Sequence, residues 1–281
     1  MTRTLLSIGH GFSARALAPL LIREGWRVIG TTRSPAKIGL LERQGVEPLV
    51  WPGSTLPLDD ATHLLTSVAP RDGGDPVLHA MGDRLHRAKH LEWVGYLSTT
   101  GVYGDHGGDW VNEDDPLTPS TQRGKARVAA EAAWAELDLP LHIFRLAGIY
   151  GPGRGPFAKV RNGTARRIIK EGQLFSRIHV EDIATTVLAS IRNPNPGRAY
   201  NVCDDDPAPP QDVLEHAARL LKLPIPPAVP FEEAEMTPMA RSFYADSKRV
   251  RNDRIKIELG VQLKYPNYQS GLAALLVAEQ R

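Results

Sequence analysis

Cysteine is nearly absent from this 281-residue chain, which contains only Cys203. A single thiol excludes an intrachain disulfide and a zinc site built from several cysteines, and it fits a reducing compartment. Long apolar runs are lacking too: the longest, residues 272–278, is far shorter than the ~20 residues that cross a bilayer. The apolar stretch near the first residue is interrupted by Gly9 and Gly11 and is too short for a signal-peptide core, so we expect a cytoplasmic protein.

An excess of charge of one sign is lacking as well. Lysine and arginine number 34 against 32 aspartates and glutamates, a net charge of +2. This balance excludes a bulk polyelectrolyte binder, and we expect neither nucleic acid nor membrane as a partner. What is present, 42% hydrophobic and 23% charged residues, is typical of a globular protein.

Strand-like and helix-like segments alternate along the first 200 residues. Short apolar runs indicate strands, and apolar residues at helical spacing indicate helices between them. We predict strands at 4–8, 26–32, 64–68, 93–98, 141–146 and 199–202, and helices at 12–24, 76–90, 124–137 and 180–192. This alternation predicts an α/β fold whose parallel sheet is covered on both faces. After residue 204 the chain is rich in proline, which indicates a peripheral lobe.

A glycine-rich turn follows the first strand and opens the first helix, with the pattern G-x-G-x-x-A over residues 9–14. The first glycine permits a sharp turn, the second lets the backbone approach a pyrophosphate, and the small last residue lets helix and strand pack closely. The N–H groups of the helix N-terminus would bind the anion. We predict a dinucleotide site rather than a merely structural turn, formed by Gly9, Gly11, Phe12, Ser13 and Ala14.

The end of the second strand bears on the choice of cofactor. A site that prefers NAD usually places Asp or Glu there, about 20 residues after the glycines. This chain instead has Thr32, Arg33 and Ser34 at that place. A guanidinium can bind a 2′-phosphate with two hydrogen bonds, and the hydroxyl groups can add donors. We therefore predict NADP in preference to NAD, the alternative being that Arg33 is only a solvated loop residue.

Four further segments, taken in order with the glycine turn, carry a specific resemblance. They are LSTTGVYG at 97–104, RLAGIYGPGR at 145–154, IHVEDIA at 178–184 and YNV at 200–202. The chain resembles the extended short-chain dehydrogenase/reductase family, of the nucleotide-sugar epimerase and dehydratase type. The resemblance implies a doubly wound Rossmann domain that binds the cofactor, formed by residues 1–150 and 178–203. It also implies a smaller, mainly C-terminal substrate lobe, formed by residues 151–177 and 204–281, with the turn that ends at Arg154 bordering the substrate cleft.

One departure from the family affects the chemistry. The family's base is the tyrosine of a Tyr-x-x-x-Lys helix, and these two positions are Arg123 and Arg127 in this chain. Arginine has a pKa above 12 and cannot exchange protons near neutrality. This places the chain with the atypical members of the family. The resemblance implies that Thr99 contacts the reacting oxygen; Arg127 can still donate to a ribose, and Arg123 can hold an oxyanion or a substrate carboxylate.

Other side chains are candidates for proton chemistry, each with a structural alternative. Asp75 stands near the place of the family's active-site asparagine, but Asp75-Pro76 is also a plain helix start. Tyr103 lies in the Val-Tyr-Gly turn, where tyrosine is more often structural. His179 has a reference pKa suited to acid–base work, against the alternative of a cap or core histidine. Cys203 is interpreted as packing, and we predict no metal site.

These residues lead to two hypotheses. The first is an NADP-binding oxidoreductase or epimerase-like enzyme that acts on a hydroxyl or carbonyl group of a small polar substrate, one that resembles a nucleotide sugar if the family's usual substrates apply. The second is a non-catalytic NADP-binding sensor or scaffold, which the missing tyrosine favours. A homodimer through the helices near 76–90 and 124–137 is left open. The predicted lobe contains no motif that identifies the substrate.

Overall fold

The computed structural model of the chain describes residues 2–71 and 73–280. Its centre is a seven-stranded sheet, and every neighbouring pair of strands in it is parallel. The described strands are β1 (Thr4–Ile8), β2 (Arg27–Thr32), β3 (Glu47–Val50), β4 (His63–Thr66), β5 (Trp93–Thr99), β6 (Trp110–Val111), β7 (Leu141–Leu146), β8 (Gly148–Tyr150), β9 (Arg167–Ile169), β10 (Arg177–His179), β11 (Arg198–Val202), β12 (Ala228–Pro230) and β13 (Arg249–Val250). The central sheet has the order β11-β7-β5-β4-β1-β2-β3.

Helices cover both faces of this sheet. They are α1 (Phe12–Arg23), α2 (Ile38–Arg43), α3 (Pro76–Arg87), α4 (Gln122–Ala135), α5 (Phe157–Arg161), α6 (Val180–Arg192), α7 (Pro210–Leu220), α8 (Pro238–Ser242), α9 (Asp253–Leu259) and α10 (Tyr268–Glu279). Successive strand residues point to opposite faces, so Leu5 packs with α1 and α6 while Leu6 packs with α3 and α4. This is the doubly wound α/β fold that the alternating segments predict, and the prediction is confirmed.

A third apolar cluster lies outside the two faces of the sheet. It is formed by the end of β8, by α5, α7 and α10, and by the segments beside them. Four members mark its extent along the chain: Tyr150, Phe157, Ala217 and Leu272. In contrast, Ile255 of α9 packs in the cluster that holds α1 and α6. The division into a cofactor domain and a substrate lobe stays a prediction. Within the described residues, no helix is both long and apolar enough to cross a membrane.

The predicted elements agree with the structure where apolar periodicity is strong. The bounds of β1, β7 and α6 match the prediction, and those of the other predicted elements differ by a few residues. The strand β3 was not predicted, because it is a short edge strand whose second residue is Pro48 and none of whose residues is fully buried. The helix α7 also escaped prediction, since it lies in the proline-rich stretch 207–230, and α10 escaped because it is apolar around most of its circumference and shows no single stripe.

Candidate functional site

The candidate site lies where the strand order reverses. The chain runs outward from β1 through β2 to β3 on one side, and through β4, β5, β7 and β11 on the other. In open α/β sheets the ligand binds at such a switch point, outside the carboxyl ends of the strands. Gly9 follows β1 and Ser67 follows β4, so the glycine turn stands at this crevice.

The turn at Gly9 requires glycine. Its φ is +78°, and an added Cβ would lie 2.9 Å from Cγ2 of Val68. The Gly9 N–H donates to Oγ1 of Thr31 at 2.8 Å, while the Ser67 hydroxyl donates to the Gly9 carbonyl. The turn is therefore held by side chains at the ends of β2 and β4, the two strands that flank β1. Sequence analysis missed Thr31 and Ser67, because each lies at a strand end rather than in the glycine motif.

The N-terminus of α1 is open toward the crevice. Gly11 is its N-cap and makes no side-chain cap. Across the described ranges, the N–H groups of Phe12, Ser13 and Ala14 have no backbone or side-chain acceptor. A Cβ at Gly11 would meet only the Gly9 carbonyl oxygen, at 3.6 Å, so the space over this glycine is free for a ligand. Free amides, a helix dipole and a bare backbone fit the pyrophosphate of a dinucleotide.

The side chains after β2 present hydroxyl and guanidinium groups. Oγ1 of Thr32 accepts the Ser34 N–H at 3.2 Å, which orders the turn between them. Arg33 is exposed, and within residues 2–71 and 73–280 it forms neither a hydrogen bond nor an ion pair. The donors that the sequence assigns to a 2′-phosphate thus stand together at the end of β2.

Thr99 is the last residue of β5. Its Oγ1 accepts the Gly101 N–H at 3.2 Å and caps the short 3₁₀ turn over Thr100–Val102. The side chain is half-buried. Because the oxygen acts as acceptor in this bond, the hydroxyl hydrogen is available for a ligand oxygen.

The helix α4 carries Arg123 and Arg127 four residues apart, on one face. Gly124 lets the start of this helix approach the turn after β5, since a Cβ there would lie 2.9 Å from the Gly101 carbonyl oxygen. Arg127 is 7% exposed, and its Nη1 donates to the Leu97 carbonyl at 2.8 Å and to the Tyr96 hydroxyl at 3.0 Å. Its Nε is buried without a partner among the described residues.

A third arginine, Arg154, is a charged neighbour of Arg123. Its guanidinium carbon lies 5.6 Å from the ring centroid of Phe12, the first residue of α1, and its backbone pairs with Gly151 at 2.9 Å. Partial burial and the charges of Arg127 and Arg154 lower the pKa of Arg123 below its usual value. Arg123 therefore has two positively charged neighbours, Arg127 on its own helix and Arg154, whose guanidinium lies over the first residue of α1.

Asp75 and Tyr103 have well-defined structural partners. Oδ1 of Asp75 accepts the N–H groups of Val77 and Leu78 at 2.8 and 3.2 Å, and its Oδ2 accepts the indole N–H of Trp134 at 3.1 Å. The predicted helix cap is thus confirmed. The Tyr103 hydroxyl donates to Oδ1 of Asn201 at 2.8 Å, and burial raises its pKa to about 12. Proton transfer by either residue stays a prediction.

His179 and Cys203 behave as their structural alternatives require. Nδ1 of His179 accepts the Glu181 N–H at 3.2 Å and caps α6, and burial lowers the pKa of this histidine to about 4. The Cys203 thiol is fully buried and donates to the Val250 carbonyl at 3.2 Å. Burial raises the pKa of this thiol. In the described part of the chain, no group of three or more His, Cys, Asp or Glu side chains could hold a metal ion.

Sequence analysis missed a buried ion pair behind the site. Glu131, one turn after Arg127 on α4, accepts from Nη2 of Arg145 at 2.9 Å and also from the Ser98 hydroxyl. Nη1 of Arg145 donates to the Tyr103 hydroxyl at 2.9 Å. This network fixes α4 against β5 and β7, and so fixes the helix that presents the arginines.

Gly11→Val tests whether the open backbone of the turn binds a dinucleotide. The backbone at Gly11 is extended and an added Cβ meets only the Gly9 carbonyl oxygen, at an ordinary contact distance of 3.6 Å, so we expect an unchanged Tm. We expect NADPH affinity to fall at least about tenfold, because the valine occupies the approach to the pyrophosphate. Isothermal titration calorimetry measures the affinity. Gly82→Val is the control, since a side chain at Gly82 also enters open space but lies on α3; an equal loss of affinity in this control would contradict the assignment.

Comparison with known proteins finds similar sequences and similar solved structures. No model of a protein family matches the chain. A conserved Silicibacter pomeroyi protein of unknown function is 60% identical, with a TM-score of 0.97 and 99% of each chain covered. Protein YeeZ of Escherichia coli K12 is 29% identical over 92% of this chain and 95% of its own. A Methylobacillus flagellatus structure described as an NAD-dependent epimerase/dehydratase is 27% identical, with a TM-score of 0.73 and 100% and 99% coverage.

Proposed function

We propose that this chain, which belongs to the atypical extended short-chain dehydrogenase/reductase family of NAD(P)-dependent epimerase/dehydratase-like proteins, is an NADP-dependent oxidoreductase. Its substrate in this proposal is a small polar molecule that reacts at a carbonyl or hydroxyl group. The observation that carries the proposal is the uncapped N-terminus of α1 at the switch point, with the Arg154 guanidinium over its first residue and with Thr99 and the two arginines of α4 across the crevice.

NADP is the cofactor that the donors of the site favour. The N–H groups of residues 12–14 would bind the pyrophosphate. Thr32, Arg33 and Ser34 would bind the 2′-phosphate, and no carboxylate stands at those three positions to accept a ribose hydroxyl in the manner of an NAD site. When bound, the dinucleotide supplies or accepts a hydride at its nicotinamide ring.

The chain's own side chains orient and polarise the substrate. The Thr99 hydroxyl donates a hydrogen bond to the reacting oxygen, and the Arg123 guanidinium stabilises negative charge that develops on that oxygen. Arg127, held by Leu97 and Tyr96, donates to the ribose beside the nicotinamide. Thr99 and Arg123 both keep their protons near neutral pH, so the proton that completes a carbonyl reduction comes from solvent in this scheme.

A second candidate function rests on one specific observation, the arginine that occupies the position of the family's base. A chain that binds NADP(H) in this crevice without a proton-transferring side chain would serve as a sensor of the cofactor. In that case the three guanidinium groups would bind and hold a ligand without turnover.

Hydride transfer distinguishes the two functions. NADPH binding is measured by fluorescence titration, and NADPH oxidation is then followed with a panel of aldehydes, ketones and hexoses. The proposal expects oxidation with at least one carbonyl compound, and a loss in kcat of about 100-fold or more in both Thr99→Val and Arg123→Gln, with NADPH affinity retained. Arg87→Gln, an exposed arginine on α3, is the control.

Each contrary result has a distinct meaning. Tight NADPH binding without oxidation of any compound in the panel would favour the sensor. Absence of NADPH binding would contradict both functions. A full rate in Thr99→Val and Arg123→Gln would remove these two side chains from the chemistry and leave the cofactor assignment standing.

A further inference from the structure

We infer that the substrate carries an oxyanionic group, a carboxylate or a phosphate, which Arg123 and Arg154 bind next to the reacting carbon. This inference rests on the proposed function and names the substrate class for the same site.

Arg127 and Arg145 are almost equally buried, at 7% and 6% exposure, but only one has a counter-ion. Arg145 forms an ion pair with Glu131, whose Oε2 accepts from both Nε and Nη2 of the guanidinium, at 3.2 and 2.9 Å. Arg127 donates only to the neutral Tyr96 hydroxyl and the Leu97 carbonyl, and its Nε is without a partner among the described side chains. A buried charge that lacks a counter-ion is costly. A ligand anion would compensate it.

Arg123 and Arg154 add two more positive charges at the same place. Arg123 lies one turn before Arg127 on the same face of α4, and Arg154 rests on Phe12 across the crevice. The charged neighbours of Arg123 are Arg127 and Arg154. No carboxylate of the described residues forms an ion pair with any of these three arginines, whereas Arg145 shows that the fold can supply one. Guanidinium groups bind carboxylate and phosphate oxygens through paired N–H donors.

The arginines of α4 and the 2′-phosphate donors lie beside different strands of the sheet. Arg127 hydrogen bonds to Leu97 on β5, two residues before Thr99. Arg33 follows β2, and β4 and β1 stand between β5 and β2. Neighbouring strands are about 4.8 Å apart, so the two groups lie on opposite sides of the glycine turn. The free N–H groups of α1, which follow the glycine turn between these two groups of donors, are assigned to the pyrophosphate. Arg123 lies one turn from Arg127 on the same face of α4, so the anion that Arg123 binds together with Arg154 is assigned to the substrate end, beside Thr99.

Inorganic sulfate is the probe for this anion site. The Tm of the NADPH-saturated protein is measured in sulfate and in chloride at equal ionic strength. We expect sulfate to raise the Tm of the wild type by about 5 °C when its concentration far exceeds its Kd. We expect most of that shift to disappear in Arg123→Gln/Arg154→Gln. Both side chains are exposed, so this variant should fold.

The matched control is Arg43→Gln/Arg87→Gln. It removes two exposed arginines from the last turns of α2 and α3, and it should keep the full sulfate shift. A sulfate shift that is absent in the NADPH-saturated wild type, or unchanged in Arg123→Gln/Arg154→Gln, would overturn the inference.

The ligand-free protein separates the two sources of the anion. If sulfate stabilises the ligand-free protein but NADPH abolishes this effect, the arginines bind the cofactor's phosphates. The substrate inference then fails while the proposed function stands. If NADPH does not bind at all, the proposed function fails, and the substrate assignment that rests on it fails too. The sulfate shift of the ligand-free protein then reports only whether an anion site exists.

Discussion

Arg145→Met will lower the free energy of unfolding by about 3–5 kcal/mol, whereas Arg127→Met will change it by about 1 kcal/mol or less. Both side chains are arginines with nearly equal burial, at 6% and 7% exposure, and methionine has a similar length. The difference arises because only Arg145 neutralises a buried carboxylate, that of Glu131. Urea denaturation of the two variants, read by tryptophan fluorescence, measures both changes.

The large cost at Arg145 comes from the partner left behind. Without the guanidinium, Glu131 keeps only the Ser98 hydroxyl as a donor, and the Tyr103 hydroxyl loses the N–H that it accepts. At Arg127 the loss of two hydrogen bonds, to the Tyr96 hydroxyl and to the Leu97 carbonyl, is offset by removal of a buried charge that has no counter-ion.

Removal of both members of the ion pair is the control. Arg145→Met/Glu131→Leu leaves no unpaired charge, so we expect it to be clearly more stable than Arg145→Met alone. If Arg145→Met and Arg127→Met lose the same stability, then Arg127 is as well compensated as Arg145. In that case the crevice would not need a ligand anion, which would also weaken the substrate inference.

Most of the fold could be predicted from apolar patterns within single strands and helices. The elements β1 and α6 could be read with their bounds because each buries a regular apolar pattern that is visible in the chain. The edge strand β3 and the helix α10 could not. Four half-buried or exposed residues give β3 no alternation, and α10 is apolar around most of its circumference, so it shows no single stripe.

The candidate site likewise contains features that the sequence predicts and features that only the folded structure shows. The glycine turn lies within six consecutive residues, and the structure gives it the positive φ at Gly9 and the open backbone at Gly11 that the motif implies. The contact of Arg154 with Phe12 joins residues far apart in the chain. The ion pair of Glu131 with Arg145 depends on how α4 packs against β7. No local pattern encodes such contacts, so they became visible only when the fold brought the elements together.

Arg33→Asp will weaken NADPH binding at least tenfold and leave NADH binding within about threefold of the wild type. A guanidinium that binds the 2′-phosphate is lost, and a carboxylate that repels this dianion takes its place. The same carboxylate can accept the 2′-hydroxyl of NADH, as in sites that prefer NAD. Arg33 is exposed and makes no bond with the described residues, so the substitution should not alter the fold. Fluorescence titration with each nucleotide measures the two affinities.

Arg43→Asp is the matched control for this prediction, because it reverses the charge of another exposed arginine, in the last turn of α2. A general electrostatic effect on an anionic ligand would act from both positions and on both nucleotides, and it would weaken with salt. A bound 2′-phosphate is sensitive to Arg33 alone and only when the phosphate is present. Equal losses for NADPH and NADH in Arg33→Asp would show that Arg33 does not contact the 2′-phosphate, and the preference for NADP would then lose its main structural support.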